Sequence, residues 1–231
     1  AGDYIAFSND NQWMATGNAL IQLENGIPLA TYPMEEVNIP MIAVFSPDSR
    51  WCIYIIDTAV YEEGVPYTPQ VKAKLIELDK ISDNGNLGAA VIGESINIFS
   101  LIQFSADSRW LMVKEERYFS NAEADKSFVY DLEKKKSHAL PYPVVDLAFT
   151  QDQKHVILFG GGYGNDGTYK LESPEVWKLP ETSNGGLEKI GGIETADSTV
   201  TSQNGRWLIS APNHDYSEYT SMPAKLWDVN C

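Results

Sequence analysis

FSPDSRW, residues 45–51, is the stretch from which the rest of this chain can be read. It returns as FSADSRW at 104–110 and more loosely as FSNDNQW at 7–13, FTQDQKH at 149–155 and TSQNGRW at 201–207. In each copy a Phe or Thr closes one strand, a small hydroxyl and an acid or amide bend the chain, and Trp or His opens the next strand. Asp10, Asp48, Asp107, Asp152 and Asn204 are the turn formers, because a short carboxylate or amide accepts hydrogen bonds from backbone amides just ahead of it. The residue after each of them occupies the tip of the turn.

Working outward, each turn feeds an apolar run, WMAT, WCIYII, WLMVK, HVILF or WLIS, apolar on both faces as an inner strand between two neighbouring layers must be. A second signature follows at variable distance: LIQL at 20–23, LIEL at 75–78, VYDL at 129–132, VWKL at 176–179 and LWDV at 226–229. These read as third strands. Fourth strands are predicted near 27–34, 86–93, 136–143 and 187–194, and the fifth unit has none. Units of roughly 40 to 55 residues, each a turn among β-prone runs, mark an all-β β-propeller rather than one continuous sheet. The units fall at about 1–36, 37–93, 94–141, 142–193 and 194–231 within one propeller domain. The missing outer strand leads us to expect a piece of a longer chain or a larger propeller; a five-bladed ring with a three-stranded last blade is the alternative.

Composition fits a soluble globular domain, with 43% hydrophobic and 11% aromatic residues. No apolar run approaches the ~20 residues of a membrane span, and no secretory leader is recognisable. The compartment stays open between cytoplasmic and exported after signal removal. A net charge of −15 argues against nucleic acid and anionic membrane, whose phosphates need clustered Lys and Arg. The trio Lys134 to Lys136 sits at a turn and reads as solvated. Cys52 in the second unit and Cys231 in the fifth fall on separate strands, which predicts free thiols.

FSPDSRW, FSADSRW and the closing KLWDVN with Trp227 and Asp228 resemble WD40 repeats, and the resemblance covers essentially the whole chain. The Gly-His pair that usually precedes the inner strand is absent and Trp-Asp appears once, so the family's hydrogen-bond tetrad is not carried over. TolB-like propellers and those of prolyl oligopeptidases share the same turn, so the chain is WD40-like. The resemblance implies a scaffold for protein contacts.

In a four-stranded meander the second turn and the crossover share one rim. The first turns are tight, whereas the second connections swell at 57–72, 115–127, 160–174 and 212–224 and shrink to Gly17 and Asn18 in the first unit. The long connections hold Tyr61, Tyr67, Tyr118, Phe119, Tyr163, Tyr169, Tyr216 and Tyr219. Among them lie Glu62, Glu63, Glu115, Glu116, Asp166, Asp215 and Glu218. Tyr offers apolar area with a polar tip, and carboxylates favour Lys or Arg, so the pattern predicts a rim for a neutral or basic protein or peptide. The alternative is that these tyrosines pack the long loops onto the blade edges.

The crossovers carry Asp3, Glu36, Glu94, Asp146 and Asp197, but only Asp3 and Asp197 are equivalent and no Asp-x-Asp loop supports calcium, so neither metal nor cofactor is expected. His138, His155 and His214 lack ligand spacing, and His155 stands where the other units carry Trp, which reads as a packed histidine. Gly162, Gly164 and Gly167 satisfy G-x-G-x-x-G, but no helix follows to meet a pyrophosphate. His214, Asp215 and Ser217 are contiguous and lack a nucleophile elbow, so no catalytic residue is assigned. Alternative functions are a substrate-gating propeller of a hydrolase, with further domains on the same polypeptide, or a carbohydrate-binding propeller.

Overall fold

A computed structural model describes residues 5–16, 19–24, 27–31, 39–57, 71–81, 90–95, 98–116, 127–142, 144–163, 169–171, 174–182, 185–192, 198–202, 206–211 and 225–228. Among them 20 strands form five antiparallel sheets in chain order, with one 3-10 turn at Leu78–Lys80. The first sheet runs β1 (Ile5–Phe7), β2 (Trp13–Thr16), β3 (Ala19–Gln22), β4 (Ile27–Thr31). The second runs β5 (Ile39–Phe45), β6 (Trp51–Asp57), β7 (Val71–Glu77), β8 (Ala90–Ser95). The third holds β9 (Ile98–Phe104), β10 (Trp110–Glu116), β11 (Phe128–Asp131) and β12 (Lys136–Ala139). The fourth is β13 (Val144–Phe149), β14 (His155–Tyr163), β16 (Glu175–Lys178) and β17 (Glu188–Gly192), with β15 (Tyr169–Leu171) paired to the far end of β14. The fifth has three strands, β18 (Ser198–Thr201), β19 (Trp207–Ala211) and β20 (Lys225–Asp228). Each sheet is a meander, the strand arrangement of a propeller blade. The second signatures are third strands, and four fourth strands stand where the sequence places them.

Contacts divide the chain into two compact units, Ala1–Asp125 and Lys126–Cys231. In the first, Trp13, Ala15 and Leu20 of the first sheet meet Ala43, Cys52, Tyr54, Ile76 and Leu78 of the second in one buried cluster. Alternation produces it: Ala15 and Leu20 are Cα partners, so their side chains share a face. In the second unit Ala148, Ile157 and Phe159 form a core against which Val176 packs. Cys52 is free and fully buried, and that burial pushes its thiol well above the usual value. Cys231 lies outside the described residues.

The repeated turn has one geometry. Ser46 Oγ donates to Asp48 Oδ1 (2.5 Å) and accepts from the Trp51 amide (2.9 Å), while Asp48 Oδ1 accepts from the Arg50 amide (3.1 Å). Ser8 with Asp10, Ser105 with Asp107 and Thr150 with Asp152 repeat it. The tip residues Asn11, Ser49, Ser108 and Gln153 adopt φ of 56° to 59°, a left-handed conformation the tight turn requires. In the first unit the tip serine also joins blades, since Ser49 Oγ accepts from the Asp10 amide (3.1 Å) and Ser108 Oγ from the Asp48 amide (2.9 Å).

Two of the turn carboxylates, Asp10 and Asp152, contribute stability that acid removes. Burial alone would raise Asp152, but hydrogen bonds from Thr150 and the Lys154 amide outweigh it and hold it below the ordinary value, and Asp10 is lowered in the same way by Ser8 and the Gln12 amide. A carboxyl held low in the fold stabilises it above the unfolded-state value and loses that contribution as pH falls through the folded one. Urea midpoints are therefore expected to be level from neutrality to about pH 5 and to fall below about pH 4. A midpoint that rises on acidification would contradict the turn geometry.

Candidate functional site

The candidate rim begins where the inner strands end. Within Ala1–Asp125 the joined turns hold the starts of β2, β6 and β10 together, so Asp57 and Glu116 mark the far ends of β6 and β10, roughly 20 Å away along seven-residue strands. There β2 passes to β3 through residues 17 and 18 alone, clasped by the Ala19 amide donating to Thr16 Oγ1 (3.1 Å). From β6 to β7 and from β10 to β11 the connection is long. In Lys126–Cys231 the same connection, second to third strand, is long between β14 and β16 and between β19 and β20.

Several residues differ from the sequence reading in their setting. Glu115 and Glu116 are the last residues of β10, with Phe99 and Ile98 as Cα partners, because β9 supplies main-chain partners beyond the shift at Lys114. Tyr163 and Tyr169 are not loop residues: they are Cα partners closing the β14–β15 hairpin, whose other pairs are Gly162 with Lys170 and Gly161 with Leu171. Gly162 of the glycine motif thus lies on β14, and Gly164 and Gly167 lie outside the described residues. Tyr61, Glu62, Glu63, Tyr67, Tyr118, Phe119, Asp166, Asp215, Tyr216, Glu218 and Tyr219 lie outside the described residues.

Sequence reasoning missed a carboxylate at this end of the fourth blade. Glu175, which opens β16, accepts from Tyr142 Oη (2.9 Å) and Trp177 Nε1 (3.0 Å) and pairs with Lys189, while the Tyr142 and Trp177 rings meet edge to face at 6.4 Å. Burial would raise Glu175, yet the bonds from Lys189, Tyr142 and Trp177 hold it below its ordinary value, which makes it a fixed anion. The signal was available in the sequence as two proline-bearing stretches, Pro141-Tyr142-Pro143 ahead of β13 and Ser173-Pro174-Glu175 at the start of β16, the two strands that flank β14. Replacing Tyr142 by Phe deletes one of three donors, and is expected to cost about 1 kcal/mol by urea titration; an unchanged midpoint would show the network idle.

The opposite end has its own missed pattern. The phrase's cation lies over the adjoining Trp and reaches the polar residue of the second signature. Arg50 stacks on Trp51 (5.2 Å) and bonds Glu77 (2.6 Å), and Arg206 stacks on Trp207 (4.9 Å) and bonds Asp228 (3.1 Å). Trp51 and Glu77, like Trp207 and Asp228, are Cα partners, which brings the pair into reach. Lys134 is bound rather than simply solvated, with its amide on Asp131 Oδ1 (3.0 Å) and its Nζ on the Glu181 carbonyl (2.8 Å). His155 Nδ1 lies 3.1 Å from Asp152 Oδ2, across the turn that the two residues bracket. Asp146 accepts from the Leu147 amide (2.7 Å), and among the described residues no group of His, Cys, Asp and Glu is placed to hold a metal. No described helix is long and apolar enough to cross a membrane.

No family model and no curated protein matches the chain. Solved structures do. An oligogalacturonate lyase from Vibrio parahaemolyticus matches with TM-score 0.58 and 10% identity, over 99% of this chain and 64% of that one. An oligogalacturonate lyase in complex with manganese matches at 0.54 and 11%, over 99% and 63%. The β-propeller domain of the Trilobed protease from Pyrococcus furiosus, described as having an open velcro topology, matches at 0.51 and 14%, over 99% and 70%. The fold is a β-propeller. This chain spans less than two thirds of the length of the two lyases, and identities this low convey architecture without chemistry.

Proposed function

We propose that this chain is a non-enzymatic propeller scaffold that binds a neutral or basic protein or peptide segment through its long second connections. One observation carries the reading: in four of the five sheets the connection from second to third strand is long, and in the first it is two residues. Those connections hold Tyr61, Tyr67, Tyr118, Tyr216 and Tyr219, and the β14–β15 hairpin adds Tyr163 and Tyr169, among carboxylates in a chain of net charge −15. Phenol rings give contact area at small entropic cost, and the acids select cationic partners.

The test is a peptide array spanning net charges of both signs, followed by titration of the strongest binders against Tyr61→Ser, Tyr118→Ser, Tyr163→Ser and Tyr216→Ser. Basic peptides are expected to be captured, with a loss of about tenfold or more for at least two variants and melting within about 2 °C of the parent chain. Melting that falls in step with binding would make these tyrosines packing residues. Raising the salt from low to several tenths molar is expected to slow association and weaken capture, since contacts beside exposed carboxylates are screened within about 10 Å; salt-independent capture would exclude the acids from recognition.

A further inference from the structure

Glu175 opens β16 where the long connection from β14 ends, so it stands on the candidate rim. Its two carboxylate oxygens are held differently. Oε2 accepts from two neutral donors, Tyr142 Oη (2.9 Å) on the approach to β13 and Trp177 Nε1 (3.0 Å) on β16 itself. Oε1 pairs with the ammonium of Lys189 on β17, the outer strand of the blade. The Lys189 side chain is 50% exposed and that of Glu175 only 21%, so the cation is the member of the pair that solvent reaches. An ion pair this open contributes little to stability, and its cation is replaceable at little cost. The surroundings leave room for the exchange. A register shift between Val176 and Trp177 sets Lys189 opposite Trp177 and leaves Gly192 and Gly191 opposite Glu175 and Val176. No side chain of β17 therefore stands directly across from the carboxylate, and a Cβ added at Gly191 would meet nothing within 4 Å. The half-buried Tyr142 and Trp177 rings, 6.4 Å apart and inclined at 68°, stand beside the carboxylate they bond. Aromatic surface next to an anion suits a long cationic side chain, whose methylene stem packs on the rings while its head stays charged.

We infer that Oε1 of Glu175 is a subsite for a lysine side chain of the bound peptide, and that Lys189 is its resident substitute, released to solvent when the partner's ammonium takes its place. The inference rests on the reading of the rim as a binder of basic segments and names one contact within it. Geometry favours lysine over arginine. A guanidinium fork needs both oxygens of a carboxylate, and Oε2 already accepts from two donors, whereas an ammonium needs one oxygen. Lys189 shows that an ammonium fits there. The exchange keeps the carboxylate paired, and the Tyr142 and Trp177 bonds hold it in place throughout.

The probe is an end-capped octapeptide of alternating Lys and Ser, with an Arg-Ser counterpart, titrated by calorimetry into the 231-residue chain at fixed salt. Glu175→Gln is expected to weaken the lysine peptide about tenfold. Lys189→Ala removes the internal competitor and is expected to tighten the lysine peptide at least about threefold, a gain that damage to the fold does not produce. Lys178→Ala deletes the same charge from the same blade, at a lysine paired with Glu181, and is expected to change affinity by less than about twofold. The arginine peptide is expected to gain less than the lysine peptide from Lys189→Ala. Capture of the lysine peptide that ignores both Glu175→Gln and Lys189→Ala would overturn this inference and leave the binding reading standing. Equal gains from Lys189→Ala and Lys178→Ala, which would reduce the effect to net charge, or an equal gain for the arginine peptide, would also overturn it. Failure of every form to bind either peptide would overturn both readings.

Discussion

Trp110→Ala is expected to cost about 3–5 kcal/mol, the usual loss for a large aromatic removed from a well-packed interior. Trp110 is 1% exposed and stands beside Leu111, Met112 and Val113, all fully buried, so the strand around it has no solvent side into which it can relax. Arg109 would also lose the ring it stacks on at 4.9 Å. The informative comparison is Trp207→Ala, the same residue of the same phrase. Trp207 is over a third exposed, so its truncation is expected to cost no more than about 1 kcal/mol, part of it from the Arg206 stack. Urea denaturation of the two variants measures the difference directly. Equal losses would mean that the fifth blade is packed like the third.

Ser46→Ala is the second large effect expected, at about 1–3 kcal/mol, although only one oxygen is removed. That oxygen is buried; it donates to Asp48 and receives the Trp51 amide, so its loss strands a buried donor and frees the carboxylate that also holds the Arg50 amide. Ser46→Thr is expected to keep most of the stability, because Thr150 makes the equivalent bond to Asp152 (2.6 Å) in the fourth blade and receives the His155 amide (3.2 Å). If threonine were as damaging as alanine, the hydroxyl would not be what the repeat preserves.

The fold was legible because its signal is local. A turn of Ser, Asp and a left-handed tip residue is written in adjacent letters, and alternation in the runs after it gives the inner strands. The pairing of the phrase's Arg with Glu77 and Asp228 was not, since register sets those partners opposite each other from more than 20 residues apart. Strand ends were misjudged for a related reason. Glu115 and Glu116 are poor strand formers by type, and Tyr163 and Tyr169 border a Gly-rich stretch, but main-chain partners in β9 and across the β14–β15 hairpin keep all four extended. The Glu175 network escaped because Tyr142, Trp177 and Lys189 reach it from three different segments. At the candidate rim, what the sequence offered was a bias in composition at one topological position, and the described residues supply the strand ends that frame it.

Long second connections that serve binding, as proposed, are dispensable to the fold. The most direct test replaces residues 58–70 with Gly-Asn, the connection the first blade uses between β2 and β3, and measures basic-peptide affinity and melting together. Affinity is expected to fall about tenfold or more while the melting temperature shifts by only a few degrees. Unchanged affinity, or a chain that no longer folds, would contradict it.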